Sequence, residues 1–193
     1  MRRTTFDSLM TAGGLVTTIV LAVAGVLLFV GYNFSNTNVR SQLSQQHITM
    51  PAGPAIADPA IKPYLSKYAG QQMTNGAQAE AYANHFIAVH LKEVAGGKTY
   101  SEVSTLSRLN PNDATLQGQV QTLFRGETLR GLLLNAYAFW KVGQIALIAG
   151  IGAVAAAGVM ALLTILGFWH LRRVAPEAEL EAPVATHLHR ASA

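Results

Sequence analysis

The sequence predicts an all-α membrane protein: two transmembrane helices with a small extracytoplasmic helical domain, its last helix continuous with the second span. Three observations predict this class. Two long stretches carry no Asp, Glu, Lys or Arg, one between Asp7 and Arg40 and one between Lys141 and Arg172. Only 12% of the 193 residues are charged and 50% are hydrophobic, against about 25% charged in a typical soluble domain. The segment between the two stretches carries helix-start and helix-stop signals, without sustained period-two alternation.

The same composition excludes an intrinsically disordered chain, which needs low hydrophobicity and high charge. Cysteine is absent, which removes disulfides, thiolate metal sites, iron–sulfur clusters and cysteine nucleophiles. The net charge of +4 is scattered, with no Lys/Arg run longer than two residues, so nucleic acid is not an expected partner.

Residues 1–8 read as a cytoplasmic N-terminus and residues 9–32 as the first transmembrane helix. About 20 mostly apolar residues are enough to cross the hydrocarbon core, and this run has turns to spare. Arg2 and Arg3 before an apolar run, with Ala22-Val23-Ala24 inside it, have the outline of a signal peptide. That triplet lies mid-run, with Val26-Leu27-Leu28-Phe29-Val30 still to follow. The run also exceeds a signal core of about 7–15 residues, so a retained anchor is expected.

Residues 33–57 read as an extended linker, polar at Ser35-Asn36-Thr37-Asn38 and broken by Pro51, Gly53 and Pro54. Residues 58–141 are the extracytoplasmic helical domain. Asp58-Pro59 is a helix-start signal, and the short helix it opens stops near Gly70. Asn75 with Gln78 resembles a capping box, opening a helix with an apolar face of Ala79, Tyr82, Phe86 and Val89 that runs to Gly96-Gly97. Thr99 with Glu102 is a second capping box, for a helix ending before Asn110-Pro111. Asp113 caps the last helix, which continues through Leu132-Leu133-Leu134 into the second span, residues 142–171. A cytoplasmic tail, residues 172–193, follows. A domain this small, without disulfides, is expected to lean on the anchors, the bilayer or another protein.

Trp140 and Trp169 bracket the second span at a helical separation of about 43 Å, close to a bilayer with its interfaces. They are the expected interface anchors, together with Arg2, Arg3, Arg172 and Arg173. The arginine pairs against the membrane place both termini in the cytoplasm. Residues 40–141 carry nine Lys/Arg and six Asp/Glu, but loops longer than about 60 residues translocate largely regardless of charge. The expected location is the cell membrane, as a multi-pass protein.

Candidate chemistry is sparse. Gly150-Ile151-Gly152-Ala153-Val154-Ala155 matches a dinucleotide fingerprint, yet it lies inside an apolar span and not between a strand and a helix. His85 and His90 are five residues apart, about 140° around a helix, and cannot chelate one ion from one face. They read as polar edges of the apolar stripe. No catalytic residue, metal ligand or cofactor is assigned, and no enzymatic activity is expected.

The second span has a more specific feature. Ala149, Ala153, Ala157 and Ala161 repeat every four residues, and Gly14, Thr18 and Ala22 do so on the first span. Small residues at that interval let helix backbones approach closely in lipid, either within the chain or between chains. Arg125, Glu127, Arg130 and Tyr137 are candidate partner-surface residues at the base of the last helix.

Several segments carry a resemblance: Met1–Leu9, Tyr68–Gln72, Gly76–Ala83, Gln119–Tyr137 and Gly167–Leu171. Together they resemble an actinobacterial family of small two-span membrane proteins of unsettled function, some of whose members carry an aromatic-ring-opening dioxygenase label. The resemblance implies an envelope location and no catalytic residues. Ring-opening chemistry needs iron held by His and carboxylate ligands, and the sequence has no such constellation. The expected function is that of a non-enzymatic integral membrane protein that binds a partner or self-assembles. The alternative is a subunit or accessory of an oligomeric channel or transporter. Expected partners are the lipid bilayer and either further copies of the chain or another membrane protein complex.

Overall fold

A computed structural model of the chain describes residues 3–173, with only the backbone of Arg3. Arg2, the Arg3 side chain and residues 174–193 lie outside the described residues, and so do the anchoring roles expected of Arg2 and Arg3 and most of the tail. Every regular element among the described residues is helical, and two of the helices are long and apolar. Those two are α1, Arg3–Gln45, and α6, Ala114–Leu171. Between them lie α2 (Lys62–Leu65), α3 (Gly76–Tyr82), α4 (Ala88–Val94) and α5 (Tyr100–Leu109). The chain divides into two compact units, Met1–Leu28 with Ile148–Ala193, and Phe29–Leu147.

The first unit is an antiparallel helix pair. Thr11 neighbours Gly167, Gly14 neighbours Thr164, and Gly25 neighbours Val154 and Gly150, so rising numbers on α1 meet falling numbers on α6. The inward positions of α1 are Asp7, Thr11, Gly14, Thr18, Leu21, Gly25 and Leu28, spaced alternately by three and four. On α6 they include Gly150, Ala153, Ala157, Thr164 and Gly167. This is the 3.5-residue period of a left-handed supercoil. Hydroxyls inside the apolar stretch satisfy themselves locally. Thr11, Thr18 and Thr164 each donate to the carbonyl four residues earlier, at 2.7–2.8 Å.

In the second unit the core draws on segments from the end of α1 through to the middle of α6. Met50, Leu65, Met73, Val103 and Leu123 are its largest fully buried side chains. Val39 and Leu43 join them from the end of α1, and Leu133 from α6. This corrects one expectation. Where the sequence predicts an extended linker from residue 33, α1 continues as helix to Gln45. Ser, Asn and Thr are weak helix formers, but tertiary packing overrides propensity. Ser35 is buried and donates to the Phe139 carbonyl at 2.6 Å, and Val39 and Leu43 follow at helical spacing into the core. The helix ends at Gln45, and His47, with a positive φ of 51°, turns the chain away two residues later.

The segments after that end pair briefly. Met50 N donates to Gln71 O, Gly70 N to Met50 O and Met73 N to Ile48 O, around one isolated antiparallel bridge between Thr49 and Gln72. The pairing is too short to make a strand. Asp58 acts as the expected start signal, accepting from Ala60 N at 2.6 Å, although the regular helix opens only at Lys62.

The expected helix from Asn75 to Gly96 is one helical run with a π-helical turn, Ala83–Ile87, between α3 and α4. That turn changes the buried face. Ala79, Ala83, Ile87 and Leu91 are buried, whereas Tyr82, Phe86 and Val89 are only partly so. A π turn holds more residues than an α turn, so a four-residue spacing stays on one side across it. Asn75 caps the start by accepting from Gln78 N at 3.0 Å. The reciprocal contact of a capping box goes to the neighbouring residue, since Gln78 Oε1 accepts from Thr74 N at 2.7 Å. Gly96 and Gly97 both take positive φ, 59° and 85°, and Gly97 N closes on Lys92 O, a glycine-dependent helix stop. Gln119 of α6 donates to the Val94 carbonyl at 3.0 Å, satisfying one of the carbonyls that a helix end leaves open. Thr99 and Glu102 form both halves of the expected box, and Asp113 caps α6 through Thr115 N and Leu116 N.

Candidate functional site

Three features compete for function: the small-residue seam, the base of α6, and a groove beside the end of α1. In the seam, Gly14, Thr18, Ala153, Ala157 and Ala161 are all at least half-buried between the two helices. Close approach is required there, because a β-carbon on Gly25 would stand 2.7 Å from Val154 Cγ2 and 3.5 Å from the Gly150 carbonyl. Ala149 and Ala22 are exposed instead. A strict four-residue row turns by about 40° per step, so three steps carry it about 120° around the helix. The seam follows the 3.5-residue row, which the sequence shows equally well in Gly143, Gly150, Ala157 and Thr164, each seven apart.

At the base of α6, Arg125 is exposed. Arg130 is held in a polar relay: Nη1 lies 3.3 Å from Glu127 Oε2, Nη2 donates to Asn84 Oδ1 at 3.3 Å, and Asn84 donates to Glu80 at 2.9 Å. Glu127 and Arg130 thus help position α6 against the π-helical run, and only part of each remains for a partner. Tyr137 is half-buried with its ring 6.3 Å from Trp140. Trp140 itself packs its β-carbon and ring against the α-carbon of Gly76 and belongs to the edge of the core. Trp169 is exposed, and the Arg173 guanidinium lies 3.7 Å over its ring, a cation–π pair. Arg172 is exposed beside it, and His170 Nε2 lies 3.8 Å from the Asp7 carboxylate.

The histidines go separate ways. His85 stacks on Tyr64, with centroids 3.4 Å apart, and His90 Nδ1 lies 2.7 Å from the Phe86 carbonyl. Among the described residues no three of His, Cys, Asp and Glu converge. Burial pushes the Tyr82 phenol up, while the Thr99 amide and hydroxyl hold the Glu102 carboxyl down. Both groups move away from neutrality, the opposite of what proton transfer near pH 7 requires.

The groove was not anticipated. It is a half-open cavity of about 400 Å³ between the last turns of α1 and the middle of α6, floored by Val39, Leu43 and Leu133. Asn38, Gln42 and Gln46 edge it at four-residue spacing. That amide row was legible as an i, i+4 pattern, but only on the premise that residues 33–45 are helical.

Comparison of the chain with protein-family models, with curated proteins and with solved structures gave no match.

Proposed function

We propose that this chain is a non-enzymatic integral membrane protein of the cell envelope. It crosses the bilayer twice, keeps both termini in the cytoplasm, and presents residues 58–141 outside to a protein partner or a second copy. The observation that carries this reading is the outward apolar surface of α1 and α6. In their most apolar windows only 6% and 11% of residues are buried, whereas the core helix of a soluble protein buries most of that window. Ile19, Val23 and Leu27 on α1, and Val159, Leu162 and Leu166 on α6, are each more than half exposed. Hydrocarbon accommodates such a surface because every backbone group within a helix is already bonded. The resemblance to the two-span actinobacterial family points the same way.

The seam residues are used in packing the chain on itself, which leaves Arg125, the exposed Phe124 and the outward Ala22 and Ala149 for association. Cysteines at Ser44 and Thr115 are expected to react with a membrane-impermeant thiol reagent in intact cells, and one at Ala193 is not. The absence of native cysteine makes the readout clean. Labelling of Ala193→Cys alone would invert the orientation, and equal labelling of all three in a chain extractable by carbonate would overturn the two-span reading.

A further inference from the structure

The groove between α1 and α6 has the properties of a ligand site. Its volume of about 400 Å³ falls in the range of small-molecule pockets, about 300–1,000 Å³, which are mostly apolar with a few placed polar groups. No charged side chain lines it among the described residues. Its polar groups are carboxamides: Asn38, Gln42 and Gln46 on α1, and Asn135 on α6. Gln42 Nε2 donates to Asn38 Oδ1 at 3.0 Å, which orients the pair so that the Asn38 amino group and the Gln42 carbonyl remain for a ligand. Such an edge hydrogen-bonds esters and hydroxyls, and gives an anion no counter-charge.

The apolar wall has a direction. It runs along α6 from Leu129 through Leu132 and Leu133 to Phe139, and Leu132 is 65% exposed. Phe34 meets Phe139 edge-on at 6.2 Å at that end. One turn further along the helix Val142 is 63% exposed, and the charge-free run begins. Lys141 lies about 160° around the helix from Phe139, so no charge interrupts this face. The groove therefore opens along α6 toward Val142, where the charge-free run of that helix begins.

We propose that the groove binds one membrane lipid by its acyl chain and glycerol-ester region, with the chain lying along Leu132, Leu133 and Phe139 and the ester oxygens on the Asn38–Gln42 edge. This rests on the two-span reading. The uncharged lining makes binding indifferent to headgroup charge, which separates it from an anionic-lipid site.

The test uses the full chain in nanodiscs of phosphatidylcholine doped with a phosphatidylcholine that carries a photoreactive diazirine in one acyl chain. Adducts are mapped by peptide mass spectrometry. They are expected to concentrate on residues 129–139 of α6 and 38–46 of α1, and phosphatidylglycerol should compete no better than phosphatidylcholine. Ala136→Trp fills the groove and should cut the local adduct yield by about tenfold, roughly 1.4 kcal/mol. Leu132→Trp, at an exposed wall position that cannot disturb the core, should reduce it as well. Adducts spread evenly over α1 and α6, an unchanged yield in both tryptophan variants, or strong preference for phosphatidylglycerol would each overturn the proposal. Carbonate resistance and the cysteine pattern are read on the same preparations. If they hold while the adducts do not localise, only the lipid site is lost; if they fail, the two-span reading falls with it.

Discussion

Replacing Gly76 with alanine drives a methyl group into Trp140. A β-carbon built on Gly76 stands 2.5 Å from Trp140 Cβ, 2.7 Å from Cγ and 2.9 Å from Cδ2. Carbon atoms rest about 3.5–4.0 Å apart, so the new group overlaps by about 1 Å. Trp140 Cβ is bonded to the backbone of α6 and cannot rotate aside; α3 or α6 has to shift. Overpacking of this kind costs about 1–3 kcal/mol, and three crowded atoms place the change at the upper end. Alanine returns less than about 1 kcal/mol, because it removes glycine's helix penalty only at the first helical position. The net expectation is a loss of about 2 kcal/mol. Gly118 and Gly131 provide the opposite case. Both lie within α6, and a β-carbon on either meets nothing within 4 Å, so alanine there should stabilise by about 0.5–1 kcal/mol. Thermal unfolding followed by tryptophan fluorescence in a Trp169→Phe background reads Trp140 alone. At about 2–4 °C per kcal/mol for a chain of this size, Gly76→Ala should lower Tm by about 4–8 °C and Gly118→Ala should raise it by about 1–4 °C. A neutral or stabilising Gly76→Ala, or a Gly118→Ala that melts just as early, would refute the packing argument.

Gly25→Leu should push the antiparallel pair apart by about 1–2 Å toward the ordinary interhelical spacing, because Val154 Cγ2 occupies the space of the new side chain. Spin labels on the outward positions Ala22 and Ala149 measure that separation, and an unchanged distance would show that the seam does not depend on glycine. The Glu102 carboxyl should titrate below the ordinary glutamate value, since the Thr99 amide and hydroxyl stabilise its ionised form. A depressed folded-state pKa means that the cap of α5 is intact above the unfolded value and is lost as pH falls through the folded one. NMR of the Glu102 side chain should therefore show the low titration moving up in Thr99→Ala, and a carboxyl unaffected by that substitution would contradict the capping geometry.

Local chemistry made most helix boundaries legible. Thr99 with Glu102, Asp113 before α6, and Gly96-Gly97 after Val94 are caps and stops whose bonds span only a few residues, so spacing along the chain contains the answer. The apolar runs within α1 and α6 were equally plain, since a charge-free run is a property of composition. What the sequence could not decide was anything set by a partner distant in the chain. Ser35–Gln45 looks like linker until Ser35 meets the Phe139 carbonyl and Val39 and Leu43 enter the core. The inward face of the π-helical run moves from Tyr82 and Phe86 to Ala83 and Ile87 because Leu91, on the same face, packs against the bare backbone of Gly126. The seam selects the 3.5-residue row over the four-residue alanine row because two helices that coil around each other stay in contact only along that period. The groove follows from the same cause, since its amide edge exists only once α1 is helical there and α6 lies alongside. Sequence alone determined the two charge-free apolar runs and most helix caps; tertiary packing decided that residues 33–45 continue α1 and which face of each helix is used, because both depend on the neighbour that is met.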